Sequence, residues 1–433
     1  MRSEMRPLGE FVSLVSGNTP SKANAAYWGG TTPWVSAKDM GDFWIEDAED
    51  HLTPAGVDAA SRLVPAGTVL MLTRGMTLHK RVPICRVAKP STFNQDVKAV
   101  LPKASLSTRY LPYLLVGNHD RLHERVDSAG HGTGRLNTDS LLSFPVYVPG
   151  RGEQESIAEL GEAIDDRLRL LRQTNTTLES IAQALFKSWF IDFDPVRAKA
   201  EGREPEGMDA ATAALFPSEF EESELGLIPK GWKIGSFGDL ARLAKGSVNP
   251  MASPDVVFEH FSLPAFDASQ LPTFELGSTI KSNKTRVSDG AVLQSKLNPH
   301  IPRVWFPSQV GNHAVCSTEF LPWLAREPAS PEVLYCALTA PSFEAVLRTL
   351  VTGTSNSHQR VKPDQVAGLS LAIAPGSIYD AFTSVARPLL AKVGSARWRV
   401  KSLAYLRDAL LPRLISGKLR IPEAQDRIEE ALA

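Results

Sequence analysis

With 433 residues, 43% of them apolar, and no compositional extreme, the chain can build several cores and is too long for one ordinary domain. No apolar run approaches the ~20 residues that cross a bilayer, and the opening MRSEMRPLGEF lacks the blocks of a secretory leader, so a cytoplasmic chain with no membrane partner is expected. Cys85, Cys316 and Cys336 are too few and too scattered for a disulfide framework or a C-x-x-C zinc site and read as buried thiols, while a net charge of -1 conceals strong local unevenness.

Residues 1–150 read as a mixed α/β module. Short β-branched runs such as Gly67 to Thr73 and Val82 to Val87, bounded by Gly and Pro, suggest strands, and Tyr110 to Val116 suggests a short helix. Between Arg74 and Arg135 the module carries eleven Lys and Arg against four Asp and Glu, a local positive segment of the kind that attracts polyanions. His119 and His123 stand at i and i+4 beside Asp120 and Glu124; they are expected on a solvated helix face and not as a metal site. Trp28 and Trp34 are expected to pack in the module.

Residues 151–192 follow as a long helix. Ile157, Ile164, Leu171, Leu178 and Leu185 recur every seven residues, with Leu160 and Ile181 on the adjoining seam. From Glu153 to Phe190 such a helix would extend roughly 57 Å. Residues 193–231 form an acidic, Pro- and Gly-rich connector. Its aromatic residues, with Trp189 and Phe190 before it and Trp232 after it, predict order, because large apolar rings gain by docking.

Residues 232–375 form a second mixed module, with nine Lys and Arg against five Asp and Glu between Lys281 and Lys362. Its landmarks repeat those of the first: Leu8-Gly9-Glu10-Phe11 returns as Phe237-Gly238-Asp239-Leu240, Val64 to Leu70 as Val287 to Leu293, and Gly132-Thr133 as Gly353-Thr354. Residues 376–420 are a second long helix. Phe382, Leu389, Ala396, Leu403 and Leu410, with Val385 and Leu406, stand 225 residues after the seven apolar positions of the first stripe. Neither helix can bury its stripe alone, so the two are expected to form an antiparallel coiled-coil spacer, with residues 421–433 as a tail. The fold class is therefore α+β: two mixed modules joined by two long antiparallel helices in a pseudo-two-fold internal repeat.

No catalytic constellation assembles. The chain lacks a G-x-x-x-x-G-K-S/T phosphate loop, a strand-following glycine fingerprint, an N-P-P-F/Y methyltransferase motif and an H-E-x-x-H metal motif. A nuclease would need clustered acids on the DNA path, whereas the acids concentrate in the connector and at the helix start.

The segments SGNTPSKANAAYWGGTTPWVSAKDM, LFKSWFIDFDPVRAKAEG, LGLIPKGW and LRDALLPRLISGKLRI resemble the specificity (S) subunit of type I restriction-modification systems. The resemblance covers nearly the whole chain, although the second module has no counterpart of YWGG and PWVSAKDM. It implies two target-recognition domains that read the halves of a split site in double-stranded DNA, joined by helices that bind two methyltransferase (modification) subunits, with restriction (motor-nuclease) subunits added to the complex. S-adenosylmethionine, ATP and Mg are expected on those partners and none in this chain. The alternatives are an orphan subunit that serves methylation only, or a chain that itself cleaves DNA.

For a DNA-reading chain, Arg74, Lys80, Arg81 and Arg135 are the first module's candidate contacts. Thr133 and Gly134 join them in a loop whose small residues would admit a phosphate, and Ser36 and Lys38 are secondary. In the second module the candidates are Lys296, Arg303 and the polar run Thr354, Ser355, Asn356, Ser357, His358, Gln359 and Arg360, in which amides suit adenine and the guanidinium suits guanine.

Overall fold

Two helices of 40 residues dominate the chain, Arg151–Phe190 and Gly376–Ile415, and each bound of the second lies 225 residues after that of the first. The computed structural model describes residues 4–60, 62–128, 132–351 and 359–432. The chain divides into two compact units, Met1–Leu168 with Ser402–Ala433, and Arg169–Lys401. Each long helix thus contributes one part to each unit. None of the described helices is long and apolar enough to cross a membrane.

The first unit is built on a five-stranded sheet in the order Val12–Ser16, Val97–Pro102, Val69–Leu72, Ile84–Val87, Trp44–Ile45. Its central strand Val69–Leu72, an uninterrupted aliphatic run, is wholly buried, and so is its neighbour Ile84–Val87, whose Arg86 is paired with Glu162. A second sheet pairs Asp50–Leu52, Trp28–Val35 and Thr92–Phe93. There Trp28 and Trp34 meet edge to face at 5.2 Å, and their indole N–H groups donate to the Ser21 and Asn18 carbonyls. The short helix Leu111–Val116 lies on the starting part of the first long helix. Tyr113 donates to Asp165 at 2.9 Å, and its ring fills the space above Gly161. Asp165 also accepts from Arg407 of the second long helix at 2.8 Å, which ties the two long helices together within this unit.

In the second unit a four-stranded sheet runs Ala241–Leu243, Phe320–Ala325, Val292–Ser295, Val304–Trp305. All its pairings are antiparallel, as are those among the first four strands of the first unit's main sheet, so the repeat extends to topology. A five-stranded sheet follows in the order Ser247–Val248, Lys284–Arg286, Ala314–Cys316, Val257–Phe261, Thr273–Leu276. Here the long helices run antiparallel: Glu179 pairs with Arg397, Phe186 meets Phe382 at 5.7 Å, and Phe190 stacks on Tyr379 at 5.2 Å. Glu179 also accepts from the Tyr335 hydroxyl at 3.3 Å. Each unit therefore joins a module tyrosine, an acid of the first long helix and an arginine of the second.

The connector is ordered. It contains the helices Asp194–Ala200 and Ala210–Ala214 and the hairpin Phe220–Ser223 with Gly226–Pro229. Trp189 packs on Phe216 at 5.2 Å and Phe193 on Trp232 at 5.4 Å, so the rings dock as their size requires.

The helix contacts differ from a simple clasp of the heptad stripes. Ile157, Ile164 and Leu171 are buried, but Leu178 and Leu185 are only half-buried and Ile181 is exposed. On the second helix Phe382, Ala396, Leu403 and Leu410 are buried, Leu389 and Leu406 half-buried, and Val385 exposed. The inward-facing positions of the first helix include Ala158, Gly161, Asp165, Leu168, Asn175, Ala182, Phe186 and Trp189. That seam advances by three, four or seven residues beside the leucine stripe. Much of it faces the modules: Gly161 abuts Tyr113, and Cys336 approaches the Ala182 carbonyl. Each long helix therefore packs on a module as well as on its partner helix.

Candidate nucleic-acid interface

The first module's basic segment converges on a small antiparallel sheet of Asp127–Ser128, Gly134–Arg135 and Arg74–Gly75. Arg74 lies directly opposite Arg135, and Gly134 opposite Gly75. Directly opposed residues share one face of a sheet, with Cβ atoms about 5 Å apart, and like charges there repel. Both arginines are exposed, and neither makes an ion pair or hydrogen bond through its side chain with another of the described residues. Asp127 continues the same row beyond Arg135.

The segment Met76–His79 packs beside this sheet. Lys80 follows it and is exposed, as is Met76. Arg81 points elsewhere: its guanidinium donates to the carbonyls of Met40 and Gly41 at 2.8 and 2.9 Å and holds that turn. His119 and His123 depart from the expected solvated face. His119 Nε2 accepts from the Val82 N–H at 3.1 Å, and His123 Nε2 reaches the Leu78 carbonyl at 2.8 Å, so the two rings clip their helix to the basic segment.

The expected role of Gly134 also changes. It is buried, and a Cβ there would lie 2.7 Å from that of Leu78, so its smallness serves packing and not the approach of a phosphate. The Thr133 hydroxyl is buried and has no hydrogen-bond partner among the described residues. Ser36 is buried in a capping box with Asp39, and Lys38 is paired with Glu49 and Asp50 at 2.9 and 3.1 Å. The Glu49 carboxylate, followed by Asp50, holds the Lys38 ammonium above its ordinary pKa, so the cation is already neutralised locally.

In the second module, Thr354, Ser355, Asn356, Ser357 and His358 lie outside the described residues. Gln359 and Arg360 are described, and they sit beside Lys296: Leu297 bridges Arg360, the Gln359 carbonyl accepts from Asn298 at 2.8 Å, and the Lys296 carbonyl accepts from Val361 at 3.0 Å. The first module has the same arrangement, since the Thr73 carbonyl accepts from Leu136 at 2.9 Å. Arg135 and Arg360 precede those two donors and are themselves 225 residues apart. Their surroundings differ: Arg360 forms a two-pronged pair with Glu319 at 2.9 and 3.0 Å. Arg303 likewise forks onto Asp267 at 2.6 and 2.9 Å and is largely buried.

Among the described residues, no three His, Cys, Asp or Glu side chains are grouped to hold a metal ion. Cys85, Cys316 and Cys336 are free and buried; burial pushes the Cys85 and Cys316 thiols up to about 12 and Cys336 further. Raised thiol pKa values remove the thiolate that a nucleophile needs.

Residues 2–180 match the family model described as the type I restriction modification DNA specificity domain. The type I restriction enzyme MjaIX specificity subunit of Methanocaldococcus jannaschii is 26% identical over 442 aligned positions, covering 97% of this chain and 94% of that protein. Over nearly its whole length the chain is thus similar to a type I restriction enzyme specificity subunit. The EcoR124I/EcoR124II specificity subunit of Escherichia coli is 30% identical to this chain over 164 residues, which is 37% of the chain and 41% of the relative. The crystal structure of a type I restriction-modification S subunit from M. genitalium shares the fold, with a TM-score of 0.54 at 12% identity and 95% of each chain covered.

Proposed function

We propose that this chain is a non-catalytic specificity subunit that reads a bipartite, asymmetric site in double-stranded DNA, one half per module. Its protein partners are two methyltransferase subunits and, in a restricting complex, motor-nuclease subunits. S-adenosylmethionine, ATP and Mg belong to those partners, and this chain supplies address and scaffold.

The observation that carries the reading is the repeat itself: two modules with matching strand order, each followed by a 40-residue helix at an offset of 225 residues. Repeated but non-identical modules suit the two halves of a bipartite site. Because the polar loops and the arginine environments differ between modules, the half-sites differ too, and helix length sets the spacer between them.

The purified chain is expected to bind duplex DNA weakly and to become site-specific when the methyltransferase subunits are added. Equal discrimination without them contradicts the scaffold role. DNA cleavage by the isolated chain in Mg²⁺ would replace this reading with that of a nuclease.

A further inference from the structure

We propose that the two modules hold their equivalent arginines in opposite states: Arg135, facing Arg74, is a standing phosphate clamp, whereas Arg360 is kept from DNA by Glu319 until a matching half-site competes for it. This inference rests on the DNA-reading function proposed above and adds a regulation of the same surfaces.

Arg135 and Arg360 occupy the same place in the repeated ladder, each preceding a donor to the strand that follows the sheet's central segment. In the first module Arg135 has Arg74 opposite it on one side and Asp127 on the other, and its guanidinium forms no ion pair with either. Two exposed guanidinium groups on one face repel, and an anion bridging them relieves that repulsion whatever the base sequence. In the second module both prongs of the Arg360 guanidinium rest on the Glu319 carboxylate. A half-exposed pair of this kind is weak enough for a base edge or phosphate to displace, yet it cancels the charge of Arg360 toward passing DNA. Once Arg360 turns away, Glu319 remains as a negative charge beside the DNA, which penalises any site whose contacts do not offset it. The first module therefore contributes to general attraction, and the second acts as the discriminating half.

The test uses the full chain and random-sequence duplex DNA, with the slope of log affinity against log salt as the readout, since each phosphate contact contributes about 0.9 to that slope. Arg135→Ala should lower the slope by about 0.9. Glu319→Gln, which keeps the shape and removes the charge, should raise the slope by a similar amount. That gain should vanish in the Arg360→Ala background. An unchanged slope in Glu319→Gln, or a gain that persists without Arg360, overturns the lock. A slope untouched by Arg135→Ala overturns the clamp. If the wild-type chain, alone and with methyltransferase subunits, shows no salt-dependent DNA binding, the DNA-reading function itself fails and the inference falls with it.

Discussion

Asp165 on the first long helix and Arg407 on the second meet at 2.8 Å with both side chains nearly buried, and the Tyr113 hydroxyl completes the site from the module. Burial pushes the Asp165 carboxyl up, and Arg407 and Tyr113 oppose that shift. Removing the guanidinium leaves a buried charge without its counter-ion. Arg407→Ala is therefore expected to cost about 3–5 kcal/mol in urea unfolding, whereas replacing Asp165 and Arg407 together by leucine should be near neutral or stabilising. A carboxyl with a raised folded pKa favours the folded state most when protonated, so the deficit of Arg407→Ala should shrink as pH falls.

Gly161 lies under the ring of Tyr113, and a Cβ there would come 2.5 Å from the ring. Alanine would gain about 1 kcal/mol of helix propensity, but forcing the ring aside costs ~1–3 kcal/mol. Gly161→Ala should thus lower the thermal midpoint. Gly152, on the same helix with nothing within 4 Å of its added Cβ, should tolerate or gain from the same change.

The Asp47 carboxyl is held down to about 2 from an ordinary 3.8, first by its bond to the Lys89 ammonium and also by His51 and the Ala48 N–H. A lowered folded pKa means that this stabilisation is fully present above pH 3.8 and is lost as pH falls through about 2. The pair is solvent-exposed, so its contribution is about 0.2–1 kcal/mol. Asp47→Asn should remove that part of the acid limb in a pH series of unfolding midpoints and change little at pH 2.

The long helices and the repeat were legible because apolar spacing and the 225-residue offset survive as patterns in the chain. The true inward seam was less so, because Gly161, Asp165, Asn175 and Glu179 contribute to it and no hydrophobic period marks them. Pro388 and Pro412 also argue for breaks in the second helix, yet Gly376–Ile415 is continuous, since packing of residues such as Phe382 and Leu411 outweighs local propensity. Among the candidate contacts, charge alone could not separate the exposed Arg74 and Arg135 from Lys38, Arg81 and Arg303, which are committed to partners within the protein. The signal that would have singled out Arg135 was present, as the same offset leads from it to Arg360. Glu319 gave no such sign, because its meeting with Arg360 depends on a strand turn and a β-bridge distant in sequence.

The most direct measurement is single-molecule methylome sequencing of a host that carries this chain and its methyltransferase partner, alongside a variant with one heptad removed from each long helix. The wild type should methylate adenines in one split, asymmetric motif, and the variant should keep both half-sites while its spacer shortens by roughly 10 Å, or about 3 base pairs. A palindromic motif, or half-sites whose spacing ignores the deletion, would contradict two unlike readers spaced by paired helices.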